Sequence, residues 1–471
     1  MGFRRFQGPA GALLSLAALL CAAAPAPADG AAGLTIDQAY QLAQSASEAI
    51  RIKDLAVKKA RLAQREAEAR AWPHVDLQAS GSYLVNPPTG YTVKAGSLGS
   101  IPVPGVGLVP MPTSDFSIGA QPYDYFSVAA TFSQPLFTWG KIRAAIDAAA
   151  LQVQSAGTDL VAQRRDIERE VHRAYFGALL AQESTKVLAA LSETAAEIVA
   201  DRQAALDAGT GTRESVLEAK SRKAQVDSRL VEAEQSGATA RESLGMLTGL
   251  DPAGIVLATG FRDAAPALDE AALRTRAEDA GTDVAGSRIR QGQAQKKLEL
   301  EQGGALLRPD LALGLSFAAT GAQNYLVLNG TAPSSNASAS WTWDLVISLN
   351  VKMSVFDGAE SASRIGEAEQ DVEAAGQALA QSRKLARLAA RRSVEAARTA
   401  DADLADKLAA EDYAGEREKN ARAAVDNGLA SRADLRSAEI LLGSARLDRL
   451  LAQYTREEAL ADIARLTGER L

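Results

Sequence analysis

Four short stretches of apolar/polar alternation constrain this chain more than anything else in it. Residues 74–85 read HVDLQASGSYLV, with Val75, Leu77, Ala79, Gly81, Tyr83 and Val85 on one side and His74, Asp76, Gln78, Ser80 and Ser82 on the other. The pattern recurs at about 125–137 through Phe126, Val128, Ala130, Phe132 and Leu136, and at about 310–320 through Leu311, Leu313, Leu315 and Phe317. It recurs once more at about 341–356 through Trp341, Trp343, Leu345, Ile347, Leu349, Val351, Met353 and Val355. A period of two predicts a strand with one greasy and one wet face. Each stretch has the roughly 9–11 residues that a tilted strand needs to cross a bilayer.

The ends of these stretches carry aromatic residues. Trp72, Trp139, Trp341 and Trp343 are all the tryptophans in the chain, and with Phe137 and Phe356 they lie at or beside strand ends. An aromatic belt at a membrane interface would place them there. Pro73, Pro135 and Pro309 also sit near the ends, where a missing N–H is tolerated. Lipid accepts no open sheet edge, and closed bacterial barrels use at least about eight strands. Four strands therefore need further copies of the chain to close.

Between Pro135 and Pro252, and again after Pro333, the sequence contains no proline, so two stretches are free to form very long helices. In the first, Ile146, Val153, Leu160, Ile167, Ala174, Ala181, Leu188 and Ala195 recur every seventh residue, a stripe that faces a partner helix in a supercoil. The many alanines imply close helices. At 1.5 Å per residue, a helix from Gly140 to Ala208 would reach on the order of 100 Å. The junction SQPLFTWGKIRAA at 133–145 thus reads as the passage from membrane to an aqueous compartment.

Arg4 and Arg5, an apolar run from about Gly11 to Ala24 and Ala26-Pro27-Ala28 read as a removed signal peptide over 1–28. The only cysteine, Cys21, lies inside it, which suits a mature chain in an oxidising compartment. A lipid anchor at Cys21 is disfavoured by the bulky Leu20 before it. No later window holds about 18 uninterrupted apolar residues. A net charge of −7 without a long basic run argues against nucleic acid as partner. His74 and His172 are too few and too far apart to predict a metal site, and strand-face and helix-surface roles are expected for them. No nucleophile–base set or phosphate loop stands out, so neither an enzyme nor a cofactor is expected.

The chain repeats itself. Ile146, Val153 and Leu160 reappear as Ile365, Val372 and Leu379, and GTGTRESVLEA at 209–219 matches GLASRADLRSA at 428–438. Both sets are displaced by the same distance along the chain, since 365 − 146 equals 428 − 209. The predicted organisation is a first repeat at 29–249 with a helix hairpin at 140–247, an equatorial connector at 250–267, and a second repeat at 268–471 with a hairpin at 358–467. Segments 86–122 and 321–340 are expected to be exposed loops. A duplicated unit explains these anchors better than chance.

The signal peptide, the doubled strand–strand–long-helix unit, the phenylalanine-then-glycine junctions and the G-x-x-[ST]-R turns together resemble the TolC-type outer-membrane efflux protein family. The resemblance spans essentially residues 34–467. It implies a mixed α and β fold: a homotrimer whose twelve strands, four per chain, form a transmembrane barrel continued by a periplasmic α-helical coiled-coil barrel. It further implies the exit duct of a tripartite efflux or type I secretion system, in the outer membrane and extending into the periplasm. Its partners would be a periplasmic adaptor protein and an inner-membrane pump or ABC transporter. The turns at Gly209-Thr210 and Gly428-Leu429 would meet the adaptor, although neither carries the family's valine. Asp434 and, in the first repeat, Glu218 would gate the periplasmic end, although Ser437 stands at the next acidic position. Ser431 and Asp434 also fit a helix-capping box, which leaves a purely local role open. The competing expectation is a secreted or surface coiled-coil rod or adhesin without a pore, which would have no use for two-faced strands.

Overall fold

The computed structural model describes residues 33–85, 91–118, 124–264, 266–323 and 339–469. The predicted signal peptide with Cys21 lies outside the described residues, as does most of the expected loop at 321–340.

In chain order the elements are α1 (Ile36–Ala46), α2 (Glu48–Ala69), β1 (His74–Tyr83), β2 (Tyr91–Val93), β3 (Ser100–Val103), β4 (Gly107–Pro110), β5 (Phe116–Ile118) and β6 (Asp124–Phe137), followed by α3 (Lys141–Asp207) and α4 (Arg213–Thr248). After a short 3₁₀ turn at Pro252–Gly254 come α5 (Glu270–Ala280), α6 (Thr282–Gly303), β7 (Asp310–Gln323), β8 (Ala339–Lys352), α7 (Glu360–Asp426) and α8 (Arg432–Thr467). Helices of the two halves match in length: α1 and α5 have 11 residues, α2 and α6 have 22, α3 and α7 have 67, α4 and α8 have 36. The starts of α3 and α7 are offset by the displacement already visible in the sequence (360 − 141), whereas α1 and α5 are offset by somewhat more (270 − 36). The excess falls in the strand region, where the first half has the longer connection between its paired strands.

The long strands form one antiparallel sheet in the order β1-β6-β7-β8. Within the described residues, β1 and β8 each keep one edge unpaired. The helices lie side by side in a single layer. Near the sheet the row is α2-α3-α6-α7, and farther away it is α4-α3-α8-α7, so α3 and α7 run through both levels. At 1.5 Å per residue, 67 residues make each about 100 Å long. The heptad stripe is buried from Ile167 to Ala195 and half-buried at Ile146, Val153 and Leu160. No helix among the described residues is long and apolar enough to cross a membrane.

The main cores lie at the waist, where α1 and the connector wrap α3. Ala39, Tyr175, Phe176 and Leu244 anchor one cluster, and Leu273, Val394 and Ile463 a second. The clusters occupy equivalent places in the two halves. Val394 on α7 and Ile463 on α8 correspond to Tyr175 on α3 and Leu244 on α4, and Leu273 on α5 corresponds to Ala39 on α1. The N-terminal segment is tied in by a bridge between Leu34 and Leu257. The Tyr175 hydroxyl donates to the Leu34 carbonyl at 2.8 Å and accepts from the Thr259 amide at 2.8 Å.

The structure corrects several sequence expectations. Two strands end early: β1 at Tyr83 rather than Val85, and β8 at Lys352, which leaves Phe356 outside the sheet. Part of the expected loop at 86–122 is ordered into two small antiparallel pairs, β2 with β5 and β3 with β4. Proline and glycine interrupt these strands so often that no alternation survives to reveal them. Leu136 does not continue the apolar row of β6, because a bulge at Pro135 and Phe137 leaves it without a partner and sets Phe137 opposite Leu311. His172 is buried, not a helix-surface residue.

Candidate channel wall and helix-hairpin tips

The sheet register sorts side chains into two faces. One cross-strand row reads Leu77, Ala130, Phe317, Leu345, and the next toward the helices reads Val75, Phe132, Leu315, Ile347. The opposite face holds rows such as Asp76, Thr131, Ser316, Val346 and Ser80, Ser127, Thr320, Thr342. On this face Ser80 and Ser127 hydroxyls are 2.8 Å apart, as are those of Thr320 and Thr342. One face is thus suited to hydrocarbon and the other to water. Gln134 alone breaks the apolar face near its helix end, where its amide donates to the Ala71 and Pro135 carbonyls at 2.9 Å.

Aromatic residues mark both ends of the apolar face. At the end away from the helices, one row alternates Gly81, Phe126, Gly321, Trp341: a β-carbon at Gly81 would meet the Phe126 ring at 3.0 Å, and one at Gly321 the Trp341 indole at 2.9 Å. The rings cover glycines that lack side chains to pack. Trp343, in the next row, stacks on Phe317. Trp72, Phe137, Trp139 and Phe356 are exposed at the helix end. Along β7 the Gly321 row and the Leu311 row mark the two ends of the apolar face. At about 3.4 Å per residue and a tilt near 40°, that separation spans about 26 Å, close to the apolar band of a transmembrane barrel.

At each strand-to-helix junction the chain makes two successive left-handed steps: Trp139 (φ 50°) and Gly140 (φ 82°) before α3, Gly358 (φ 62°) and Ala359 (φ 71°) before α7. Such pairs reverse a strand abruptly into a helix. Trp139 is held across the halves, since its indole N–H donates to the Pro309 carbonyl at 3.0 Å and the Arg308 guanidinium lies 5.5 Å over its ring. Phe137 meets it edge-on at 5.1 Å. An ion pair between Lys141 and Asp310 ties the start of α3 to β7.

The far ends of the helix hairpins are built alike. Gly209 (φ 75°) and Gly428 (φ 70°) each follow a helix end. The Thr210 amide donates to Ala205 and that of Gly209 to Leu206; likewise Leu429 donates to Ala424 and Gly428 to Val425. This is the Schellman arrangement, which uses carbonyls the helix leaves unpaired. Thr212 and Ser431 then cap α4 and α8. Leu429 is strongly exposed. Asp434 caps reciprocally: its carboxylate accepts from the Ser431 amide at 3.0 Å and hydroxyl at 2.7 Å, which holds its pKa below the ordinary value. Glu218 is exposed and pairs with Arg222 at 2.5 Å. Beside Asp434 on α8, Arg436 reaches back to Glu197 and Asp201 of α3.

Sequence reasoning missed a buried polar cluster at the waist. His172 Nδ1 lies 2.7 Å from the Tyr40 hydroxyl, and its Nε2 lies 3.5 Å from the fully buried Glu457 carboxylate. Arg262 approaches the same carboxylate at 3.6 Å, and Arg456 donates to the Arg262 carbonyl. Burial alone would raise Glu457, but its contacts with His172 and Arg262 outweigh it and keep the carboxyl below its usual pKa. The members come from α1, α3, the connector and α8, so no local pattern announces the group. Among the described residues there is no cluster of three or more His, Cys, Asp or Glu that could hold a metal ion.

Solved structures that share this arrangement of an open sheet carried on paired long helices include outer-membrane channels. The fold is shared with the outer membrane protein VceC from Vibrio cholerae at 18% identity and a TM-score of 0.69, covering 93% of this chain and 97% of that one. It is shared with the CmeC outer membrane channel of Campylobacter jejuni at 15% identity and a TM-score of 0.68, covering 93% and 86%. The MtrE outer membrane channel of Neisseria gonorrhoeae, in its open state, gives 17%, 0.66, 93% and 89%. No curated protein matches the sequence. The family model of outer membrane efflux proteins matches residues 39–250, and that family is one of efflux proteins rather than of enzymes. The resemblance read from the sequence is thereby shown.

Proposed function

We propose that three copies of this chain close a twelve-stranded barrel in the outer membrane, continued through the periplasm by a tunnel of the long helices, and that the assembly is a passive exit duct. The carrying observation is the four-stranded sheet, apolar on one face, polar on the other and unpaired at both edges. Four strands cannot seal a barrel, and unpaired edges are costly in lipid. Pairing β8 of one copy with β1 of the next satisfies both edges and turns the Ser80–Thr342 face toward water. The equal helix lengths support a duplicated unit over 29–249 and 268–471, joined by the connector.

On this reading the hairpin tips point into the periplasm. The exposed turns at Gly209-Thr210 and Gly428-Leu429 are where an adaptor protein would dock, with an inner-membrane pump or ABC transporter behind it. Asp434 and Glu218 lie close enough to those turns to form carboxylate rings where the tunnel narrows, and such rings favour multivalent cations. Substrate choice and energy come from the partners, as in a tripartite efflux or type I secretion system.

The test is extraction of the full chain from outer membranes in detergent, native mass measurement, and conductance in planar bilayers. Three chains per particle and discrete ion-conducting steps are expected. A water-soluble monomer without conductance would instead establish the coiled-coil rod.

A further inference from the structure

The segment between β1 and β6 is more than a connection. Its described part, 91–118, is a finger in which β2 pairs with β5 at the base and β3 with β4 farther out. The base is pinned by charge: Lys94 lies 3.7 Å from Asp115, whose carboxylate accepts from the Ala95 amide at 2.6 Å. Between those residues, from 95 to 114, the sequence AGSLGSIPVPGVGLVPMPTS holds no charged and no aromatic side chain. Leu98, Ile101, Val106 and Leu108 are nonetheless exposed, the last two at 74% each. Among the described residues the finger makes no extended contact with any helix or with the four-stranded sheet. Apolar surface of this kind on a soluble projection marks a contact site.

We propose that the apolar fingers of three copies meet one another over the barrel mouth at the end away from the helices and close it by a hydrophobic contact. The inference rests on the trimeric reading above and goes beyond it. Lipid is the weaker occupant on chemical grounds, because segments that settle at a membrane surface carry tryptophan, tyrosine, lysine or arginine. Residues 95–114 carry none of these. A second copy of the same surface needs only apolar complementarity, and closure of the sheet brings the copies together. The dimensions also fit. Twelve strands about 4.8 Å apart, tilted near 40°, give a barrel radius of about 12 Å. The three residues of β2 and four of β3 alone extend about 24 Å. A finger rooted on the rim therefore has more than the reach needed to arrive at the axis. Small apolar side chains without charge would exclude water there and gate by dewetting.

The chain offers a clean test, because its only cysteine, Cys21, precedes the described residues; a Cys21→Ala background keeps the probe unique. Val106→Cys in that background, purified as the full chain in detergent and in vesicles, is oxidised with copper phenanthroline. The expected result is covalent dimers, two of the three chains in each particle linked, with native mass still that of a trimer. Val256→Cys, exposed on the connector at the waist and away from both ends, serves as the control for random collision and should link at least tenfold less. Trimers without a Val106 link above that control overturn the inference while leaving the channel reading intact. In that case a nitroxide at Val106 tells by oxygen accessibility whether the finger lies in lipid or in water, and either position overturns it. A monomer would overturn both readings at once.

Discussion

Gly443 on α8 leaves room for Leu191 on α3: a β-carbon at the glycine would stand 2.5 Å from the leucine's Cδ2. Leu191 is itself buried, so it has little space to withdraw. Gly443→Val should therefore cost about 1–3 kcal/mol through overpacking. The Leu191→Ala variant should cost about 2–5 kcal/mol alone, yet the double variant should recover part of the combined loss. Thermal unfolding of the four proteins of this cycle measures the coupling. Additive losses would show that the two positions do not compete for the same space.

A second prediction concerns the junction before α7. Ala359 holds φ 71° where the first half has Gly140 at φ 82°. A β-carbon in the left-handed region costs roughly 1–2 kcal/mol, and glycine's greater freedom when unfolded takes back part of that. Ala359→Gly should stabilise by about 0.5–1 kcal/mol and Gly140→Ala should destabilise by a similar amount. Opposite shifts in melting temperature are the expected signature.

The tip separates a capping role from a gating one. Ser431→Ala removes the cap and should cost about 1 kcal/mol locally, visible as faster amide hydrogen exchange at residues 432–436. Asp434→Asn should reduce block of single-channel current by multivalent cations, and Ser431→Ala should leave that block unchanged. Full block retained in Asp434→Asn confines the carboxylate to its helix cap.

Acid should loosen the waist through Glu457. Its pKa is depressed in the folded chain, so its contribution is present above the ordinary carboxylate value of about 4.3 and is lost as pH falls through the lower folded value. The melting temperature of the protein should drop along that acid limb. In Glu457→Gln the same limb should be shallower, at the cost of lower stability near neutrality, where His172 and Arg262 lose their partner charge.

Strand alternation, the heptad stripe and the glycine-then-serine or threonine turns were all legible, because each depends on neighbours a few residues away. Val75 to Val351 sort onto one face with the exceptions of Gln134 and the bulged Leu136. The bulge was hidden because Pro135 alone does not say whether a strand ends or skips a partner. The finger at 91–118 was hidden for the opposite reason, since turn-forming residues mask strands as short as three or four.

The sequence by itself determined where the chain is two-faced, where it can run as an unbroken helix and where it must turn, since periodicity, proline and glycine act on the local backbone. Only the tertiary structure decided that His172 meets Glu457, that Gly443 receives Leu191, and that Trp139 reaches Pro309. Each of those contacts joins a residue of the first half to one of the second, and the partners are selected by how the two halves pack rather than by any pattern along the chain.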